Sequence, residues 1–327
     1  MGRPSGNGGA AGHEPAAAGN GTAAGHGPVA GNGTAAGPNP ARPLEEFRAL
    51  VLERGAELYR DLPWRRTRDP YEIWISEVML QQTQTTRVDG RWQRWLSRFP
   101  TLASLATAEP ADVLDEWQGL GYNRRALAVH RAARAVAEKN GELPSEAAEL
   151  EALPGIGPAT AAGIRAFAFD LHAVYLETNV RSVFLHELFP HEEAVPDRAL
   201  IPLVAKTCPP DATDHADDPR TWYYALLDYG AYLKRTVPNP SRRSRGHTRQ
   251  SRFEGSHRQK RAALVRILLA HRADAAGGAD FPSICAELAS EEANAGRSAL
   301  GAADVHALLA ELEREGFCHE DHGVWHV

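Results

Sequence analysis

The chain has 327 residues, 43% of them hydrophobic, which is enough for two ordinary domains with sizeable cores. No run of about 18 apolar residues occurs, which argues against a membrane span; three cysteines without a close pair (Cys208, Cys285, Cys318) argue against a disulfide framework or a thiolate metal cage. The formal net charge of −6 counts against a polyanion partner unless the charges are unevenly spread.

Residues 1–42 are mostly Gly, Ala, Asn and Pro, and GNGTAAG occurs at 19–25 and again at 31–37. Such a segment buries too little surface to offset its ordering entropy, so a disordered tail is expected. It lacks the cationic start and apolar centre of a secretory signal, so a cytoplasmic protein is expected. A helix is predicted over 43–60, where Leu44, Phe47, Leu50, Val51 and Leu58 share one stripe. The loop DLPWRRTRDP leads to Pro70 at the start of a second helix over 71–82, with Ile73, Trp74, Val78 and Leu80 apolar. Leu, Val, Trp and Ala then recur three and four apart through RVDGRWQRWLSRF and ADVLDEWQGLGYNRRALAVHRAARAVAEKNG. Almost no alternating β-branched run precedes residue 280, so this region is expected to be all-α.

The stretch AAELEALPGIGPATAAGIRAFAF (147–169) is more specific. A short helix ends at Leu153, Pro154-Gly155-Ile156-Gly157 makes a tight turn, and Pro158 opens a second helix where its missing N–H costs nothing. This is a helix–hairpin–helix. Exposed amides at a helix N-terminus beside two bare glycines form an anion site suited to a DNA phosphate, although an ordinary helix–turn–helix connection has the same outline. Next comes AVYLETNVRSVFLHELF (173–189), where Glu177, Thr178 and Asn179 stand at the mouth of an apolar helix. A carboxylate there either caps the helix, as Thr178 or Asn179 also could, or is poised for chemistry.

Between Lys234 and Arg261 lie ten basic residues and one acid, Glu254. They form either a solvated linker or a strip that tracks phosphates, with Arg242, Arg243 and Arg245 at its centre. Helices over 258–271, 281–290 and 302–315 and a hairpin at EDHG suggest a winged-helix-like module. Its last helix carries Glu311, Glu313 and Glu315, a poor face for a duplex, which favours a packing role.

PWR, DPYEIWISEVMLQQTQT, FPTLASLA, WQGLGYNRRA and LPGIGPATAAGI together resemble the helix–hairpin–helix DNA glycosylase superfamily, and within it the MutY-type adenine DNA glycosylases. The resemblance covers about residues 45–235. It implies two helical subdomains (43–233) with the active site in the cleft between them; the basic connector (234–257) and the terminal module (258–327) follow and depart from the family pattern. It also implies capture of an extrahelical base from double-stranded DNA carrying a mismatch or lesion, by a monomer associated with the nucleoid.

Breaking a purine N-glycosidic bond leaves electron density on the base and positive charge on the sugar, so an acid at one end and a carboxylate at the other serve both. Glu77 matches the family's general acid, and burial between Ile75 and Val78 is expected to keep it protonated; the alternative is a surface glutamate. Glu177 matches the family's catalytic aspartate, with one extra methylene, and Asn179 the asparagine that positions carboxylate and water. Gln82 and Tyr122 match residues that fill the gap left in the duplex, Tyr122 as a stacking wedge or, alternatively, a core residue. Gly155, Gly157 and Thr160 match the hairpin's DNA contacts. Strand-cleaving relatives carry a Schiff-base lysine where this chain has Ala159, so a monofunctional enzyme that leaves an abasic site is expected.

Relatives hold an iron–sulfur cluster with four cysteines whose places are taken here by Lys234, Ser241, Ser244 and Gln250. No cluster is therefore expected, and a monovalent cation at the hairpin is the one ion provided for. The basic strip is expected to replace the cluster loop's DNA contact. About 70 residues follow, fewer than the family's domain that reads 8-oxoguanine, so the opposite base stays open. The expected activity is excision of adenine mispaired with guanine or 8-oxoguanine. The alternatives are excision of an alkylated purine, hypoxanthine or uracil, and a catalytically silent lesion-binding protein.

Overall fold

The computed structural model describes residues 40–211, 217–248 and 252–327; the glycine-rich segment as far as residue 39 lies outside the described residues. The expected tail ended at residue 42, but residues 41 and 42 are docked: Ala41 N–H donates to the Leu188 carbonyl, and Arg42 pairs with Glu187 at 3.3 Å.

Two apolar cores organise the helices. The first helix, α1 (Leu44–Glu57), sends Phe47 and Val51 into one of them. The chain then builds the other from α2 (Pro70–Leu80), α3 (Thr85–Val88), α4 (Arg91–Arg98), α5 (Leu102–Ala106), α6 (Pro110–Glu116) and α7 (Arg124–Ala137). Trp95 lies at its centre, edge-on to Trp117 and Phe99 with ring centroids 5.5 and 5.0 Å away. The hairpin helices α8 (Ala147–Glu151) and α9 (Pro158–Ala168) return the chain to the first core. That core is completed by α10 (Thr178–Leu188), α11 (Asp197–Thr207) and α12 (Pro219–Thr236).

Helices α2 and α9 belong to both cores. On α2, Ile73 faces one core while Trp74, Ile75, Val78 and Met79 face the other; on α9, Ala162, Ala166 and Phe167 face one while Ala161 and Ile164 face the other. Apolar residues at adjacent positions split a helix between two neighbours, which is how a helix comes to border a cleft. A second tie joins motifs far apart in the chain. Arg65 of PWR makes a buried, two-pronged pair with Asp228 of α12, at 2.7 and 2.8 Å, and stacks over Tyr224 at 4.3 Å. Removing one partner of such a pair leaves a buried charge uncompensated, at a cost of about 3–5 kcal/mol.

The terminal module has α13 (His257–Ala270), β1 (Ala279–Asp280), α14 (Phe281–Asn294), α15 (Ala302–Arg314), β2 (His319–Asp321) and β3 (Val324–His326). The strands form an antiparallel sheet in the order β1-β3-β2, with Ala279 opposite Trp325 and Glu320 opposite Trp325. The expected hairpin turn forms at His322 and Gly323, both at positive φ as a two-residue turn between twisted strands requires. The module has no core of its own: Leu264, Leu268, Leu309 and Trp325 are continuous with the core built by α2–α9. Arg124 of α7 grips Glu315 with both prongs, and Arg272 pairs with Asp112. The acids of α15 thus serve packing: Glu311 and Glu315 both pair with Arg261, and paired guanidinium groups hold Glu315 down at about 2. Among the described residues, no helix is long and apolar enough to cross a membrane.

Candidate active site

Asp69 caps α2 by accepting from the amides of Tyr71 and Glu72, and Pro70 occupies the first turn as the sequence predicts. The cap fixes the helix so that Glu77, in its last turn, lies half-buried against α9. Only a glycine permits that approach. A Cβ at Gly163 would lie 2.3 Å from Glu77 Oε2 and 3.1 Å from the Tyr175 ring. Tyr175 donates its hydroxyl to Glu77 Oε2 at 2.9 Å. Burial pushes Glu77 up to about 8, against the pull of the Tyr175 hydrogen bond and with a further push from the charge on Glu177. At neutral pH the group is therefore a carboxylic acid with a proton to give.

Glu177 occupies the N-cap of α10, and its Oε1 accepts from the amides of Asn179 and Val180. The two sequence readings of this residue are therefore not exclusive. One oxygen caps the helix while the other, Oε2, sits 3.5 Å from Asn179 Nδ2. Asn179 in turn accepts from Lys234 Nζ at 3.1 Å, which fixes its amide orientation. Burial raises Glu177, while the cap amides and the charges of Lys234 and Arg181 oppose it. The segment leading in is held by Tyr223, whose hydroxyl accepts from Tyr175 N–H and donates to the Ala173 carbonyl. From behind, α12 closes on α10 at Gly230, where a Cβ would meet the Asn179 carbonyl at 2.3 Å. Glu77, Glu177, Asn179, Tyr175 and Lys234 thus form one constellation, in which Lys234 leaves the basic strip to support Asn179. A cavity of 190 Å³ nearby is lined by Trp74, Val78, Arg124, Arg125, Pro154 and Gly155; neither carboxyl lines it.

At the hairpin, Gly155 has φ +78° and lies so close to α7 that a Cβ would meet Ala128 at 2.6 Å. Gly157 is the exposed N-cap of α9 with open space in front of it, as an anion site requires. Ala159 is exposed and offers no amine. Thr160 is placed differently from the two glycines. It is buried, and its hydroxyl accepts from Gln81 at 2.8 Å, tying α9 to the end of α2.

Gln82 and Tyr122 are exposed and sit at φ 53° and 50°, a left-handed conformation that costs a non-glycine residue about 1–2 kcal/mol. Tyr122 is 38% exposed, so the core-packing alternative fails. One side chain holds both turns. The Arg125 guanidinium donates to the carbonyls of Val78, Met79, Gln81, Leu120 and Gly121 and to the Thr83 hydroxyl. Burial lowers it to about 10, so it remains a cation at neutral pH.

The basic strip does not form the continuous phosphate track expected of it. Arg243 donates to the carbonyls of Leu185, Phe189 and Glu192, stapling the open end of α10. Lys234 turns to Asn179, Arg261 to Glu311 and Glu315, and Arg258 to the Tyr122 hydroxyl. Arg242 and Arg245 are exposed, and Arg249 lies outside the described residues. The donor set does not suit an iron–sulfur cluster. Lys234 presents an amine, Ser241 is buried and donates to Asn239, Ser244 is buried, and Gln250 lies outside the described residues. Cys208, Cys285 and Cys318 stand on α11's C-cap, on α14 and before β2, and none joins a metal-binding group among the described residues.

A half-buried acid, a capped carboxylate and a glycine hairpin are thus gathered where two helical cores meet. The family described as "HhH-GPD superfamily base excision DNA repair protein" matches residues 75–306. The adenine DNA glycosylase of Mycolicibacterium smegmatis is 35% identical over 227 residues, covering 64% of this chain and 75% of that protein. The adenine DNA glycosylase of Mycobacterium tuberculosis H37Rv is 34% identical over 258 residues, covering 70% and 78%. That of Rattus norvegicus is 40% identical over 144 residues, covering 41% and 28%. The structure of a thermostable thymine-DNA glycosylase aligns at 24% identity with a TM-score of 0.49, over 57% of this chain and 86% of that one. The chain belongs to the HhH-GPD superfamily of base excision DNA repair proteins.

Proposed function

We propose that the protein is a monofunctional adenine DNA glycosylase that excises adenine mispaired with guanine or 8-oxoguanine from double-stranded DNA. The observation that carries the reading is the Glu77–Tyr175–Glu177 arrangement: a carboxylic acid held protonated by burial and by the neighbouring Glu177, with the Tyr175 hydroxyl hydrogen-bonded to it. The relatives' shared name supplies the base. Glu77 gives its proton to a ring nitrogen of the extrahelical purine, and the C–N bond breaks with its electron pair leaving on the base. The positive charge that develops on the sugar is met by Glu177 Oε2, the oxygen left over from capping. A water oriented by Asn179 then bonds to the sugar carbon and returns its proton to the carboxylate pair. With alanine at 159 no amine traps the sugar, so the product is an abasic site in an unbroken strand.

The phosphate backbone is gripped at Gly155 and Gly157, Gln82 and Tyr122 fill the vacated stack, and Arg242 and Arg245 add outlying charge. The enzyme works as a monomer on the nucleoid in the cytoplasm. Single-turnover reaction with a duplex carrying adenine opposite 8-oxoguanine or guanine should make the strand alkali-labile at the adenine, with no cleavage before alkali. Turnover only on uracil, hypoxanthine or alkylated bases would move the substrate assignment; binding without turnover on the whole panel would overturn the enzymatic reading.

A further inference from the structure

Beside the proposed wedge lies a second exposed ring that no motif accounts for. Phe253 is 47% exposed, on the turn that opens the terminal module. The turn is closed by its own hydrogen bonds. Ser256 donates both its amide and its hydroxyl to the Phe253 carbonyl, Gly255 takes up φ +74°, and Gly255 N–H donates to Gln259. The same Ser256 caps α13 by accepting from Gln259 N–H. An apolar ring in water on a turn bonded in this way is presented, not merely left over.

What it is presented beside is specific. The Arg258 guanidinium lies 5.9 Å from the Phe253 ring and 5.2 Å from the Tyr122 ring, and it donates to the Tyr122 hydroxyl at 2.5 Å. Arg125 lies 5.6 Å from the Tyr122 ring. The two exposed rings, 131 positions apart in sequence, are thus bridged by a cation at the seam between α7's leading turn and α13. Flat rings alternating with guanidinium groups stack nucleobases with little regard to sequence while the charges attract the backbone.

We infer that Phe253 and Arg258 extend the Tyr122 wedge into a two-ring platform on which the terminal module stacks a nucleobase of bound DNA. The inference rests on the proposed DNA-facing role of Tyr122. It gives the module a part in DNA contact through its leading turn, whereas the acidic helix α15 stays in the protein's interior network. The occupant is a base within duplex DNA: the bridge through Arg258 to Tyr122 places the platform along the same surface as the wedge turn.

The experiment uses the full chain and a duplex with a non-hydrolysable adenosine analogue opposite 8-oxoguanine. A 2-aminopurine probe is placed in turn at each base flanking the mismatch. Phe253→Ala should weaken binding by about tenfold and reduce the 2-aminopurine response at one flanking position, with Phe253→Trp restoring both. Thermal melts of the variants guard against misfolding, which a side chain this exposed is not expected to cause. If Tyr122→Ala weakens binding and alters the probe while Phe253→Ala leaves both unchanged, the platform is refuted and the wedge stands. If neither variant changes either readout, the DNA-facing reading of this surface falls with it.

Discussion

The Glu77–Glu177 constellation and the segment from 234 to 261 present the same kind of feature, a concentration of charge, with opposite outcomes. In the constellation, Glu77 accepts from the Tyr175 hydroxyl, and Glu177, once one oxygen has capped α10, keeps the other beside the Asn179 amide. In the segment, Arg243 and Arg261 spend their donors inside the protein, on the end of α10 and on α15. Charge density along a chain does not say where charge is left over. What decides it is whether tertiary partners, carbonyl ends and acids from elsewhere, have already satisfied the groups.

The largest effect expected from this contrast is at Glu77. Glu77→Gln should lower the single-turnover rate by at least about a thousandfold while duplex binding persists. It should also stabilise the fold. A carboxyl whose folded value is raised from 4.5 to about 8 binds its proton more tightly in the native state, so its contribution is fully present below 4.5 and is lost as pH rises toward 8. The variant should therefore be more stable than the parent at pH 8, by about 3–5 kcal/mol, and equally or less stable at pH 4; equal stability at both would show that Glu77 is not held neutral.

A middle-sized effect separates the arginines. Arg243→Ala should cost about 1–3 kcal/mol in denaturant unfolding, because three carbonyls lose their donor. Arg242→Ala and Arg245→Ala should leave stability unchanged and reduce the salt dependence of DNA binding. The reverse pattern would restore the phosphate track. The smallest effect concerns Tyr175. Its hydroxyl stabilises the ionised form of Glu77, so Tyr175→Phe should shift the alkaline limb of the pH–rate profile to higher pH. A limb that stays in place, or moves down, would mean that the hydroxyl does not face the catalytic acid.

Legibility followed distance along the chain. Helices α1, α2 and α9, the hairpin glycines and the β2–β3 turn were readable because caps, periodicity and positive-φ turns are local. Glu77 and Glu177 were found through motif resemblance, and the capping alternative for Glu177 was readable too, though not that both hold at once. The site contacts of Tyr175 and Lys234 carried no signal, since each acts on a residue brought near only by folding: Tyr175 on Glu77, and Lys234 on Asn179. The contact of Thr160 was hidden for the same reason, its hydroxyl taken by Gln81 at the end of a different helix. The terminal module read as an independent unit because its helix pattern is self-contained, while the continuity of Leu264 and Trp325 with the preceding core is visible only in three dimensions.

The Arg125 guanidinium has a consequence for how this surface can change over generations. Since one planar group holds the Gln81 carbonyl before Gln82, the Thr83 hydroxyl after it, and the Leu120 and Gly121 carbonyls before Tyr122, the two turns share a single anchor. Retuning one turn by moving its backbone would tug on the other. Selection is therefore left to adjust their side chains independently while inheriting their spacing as a fixed gauge.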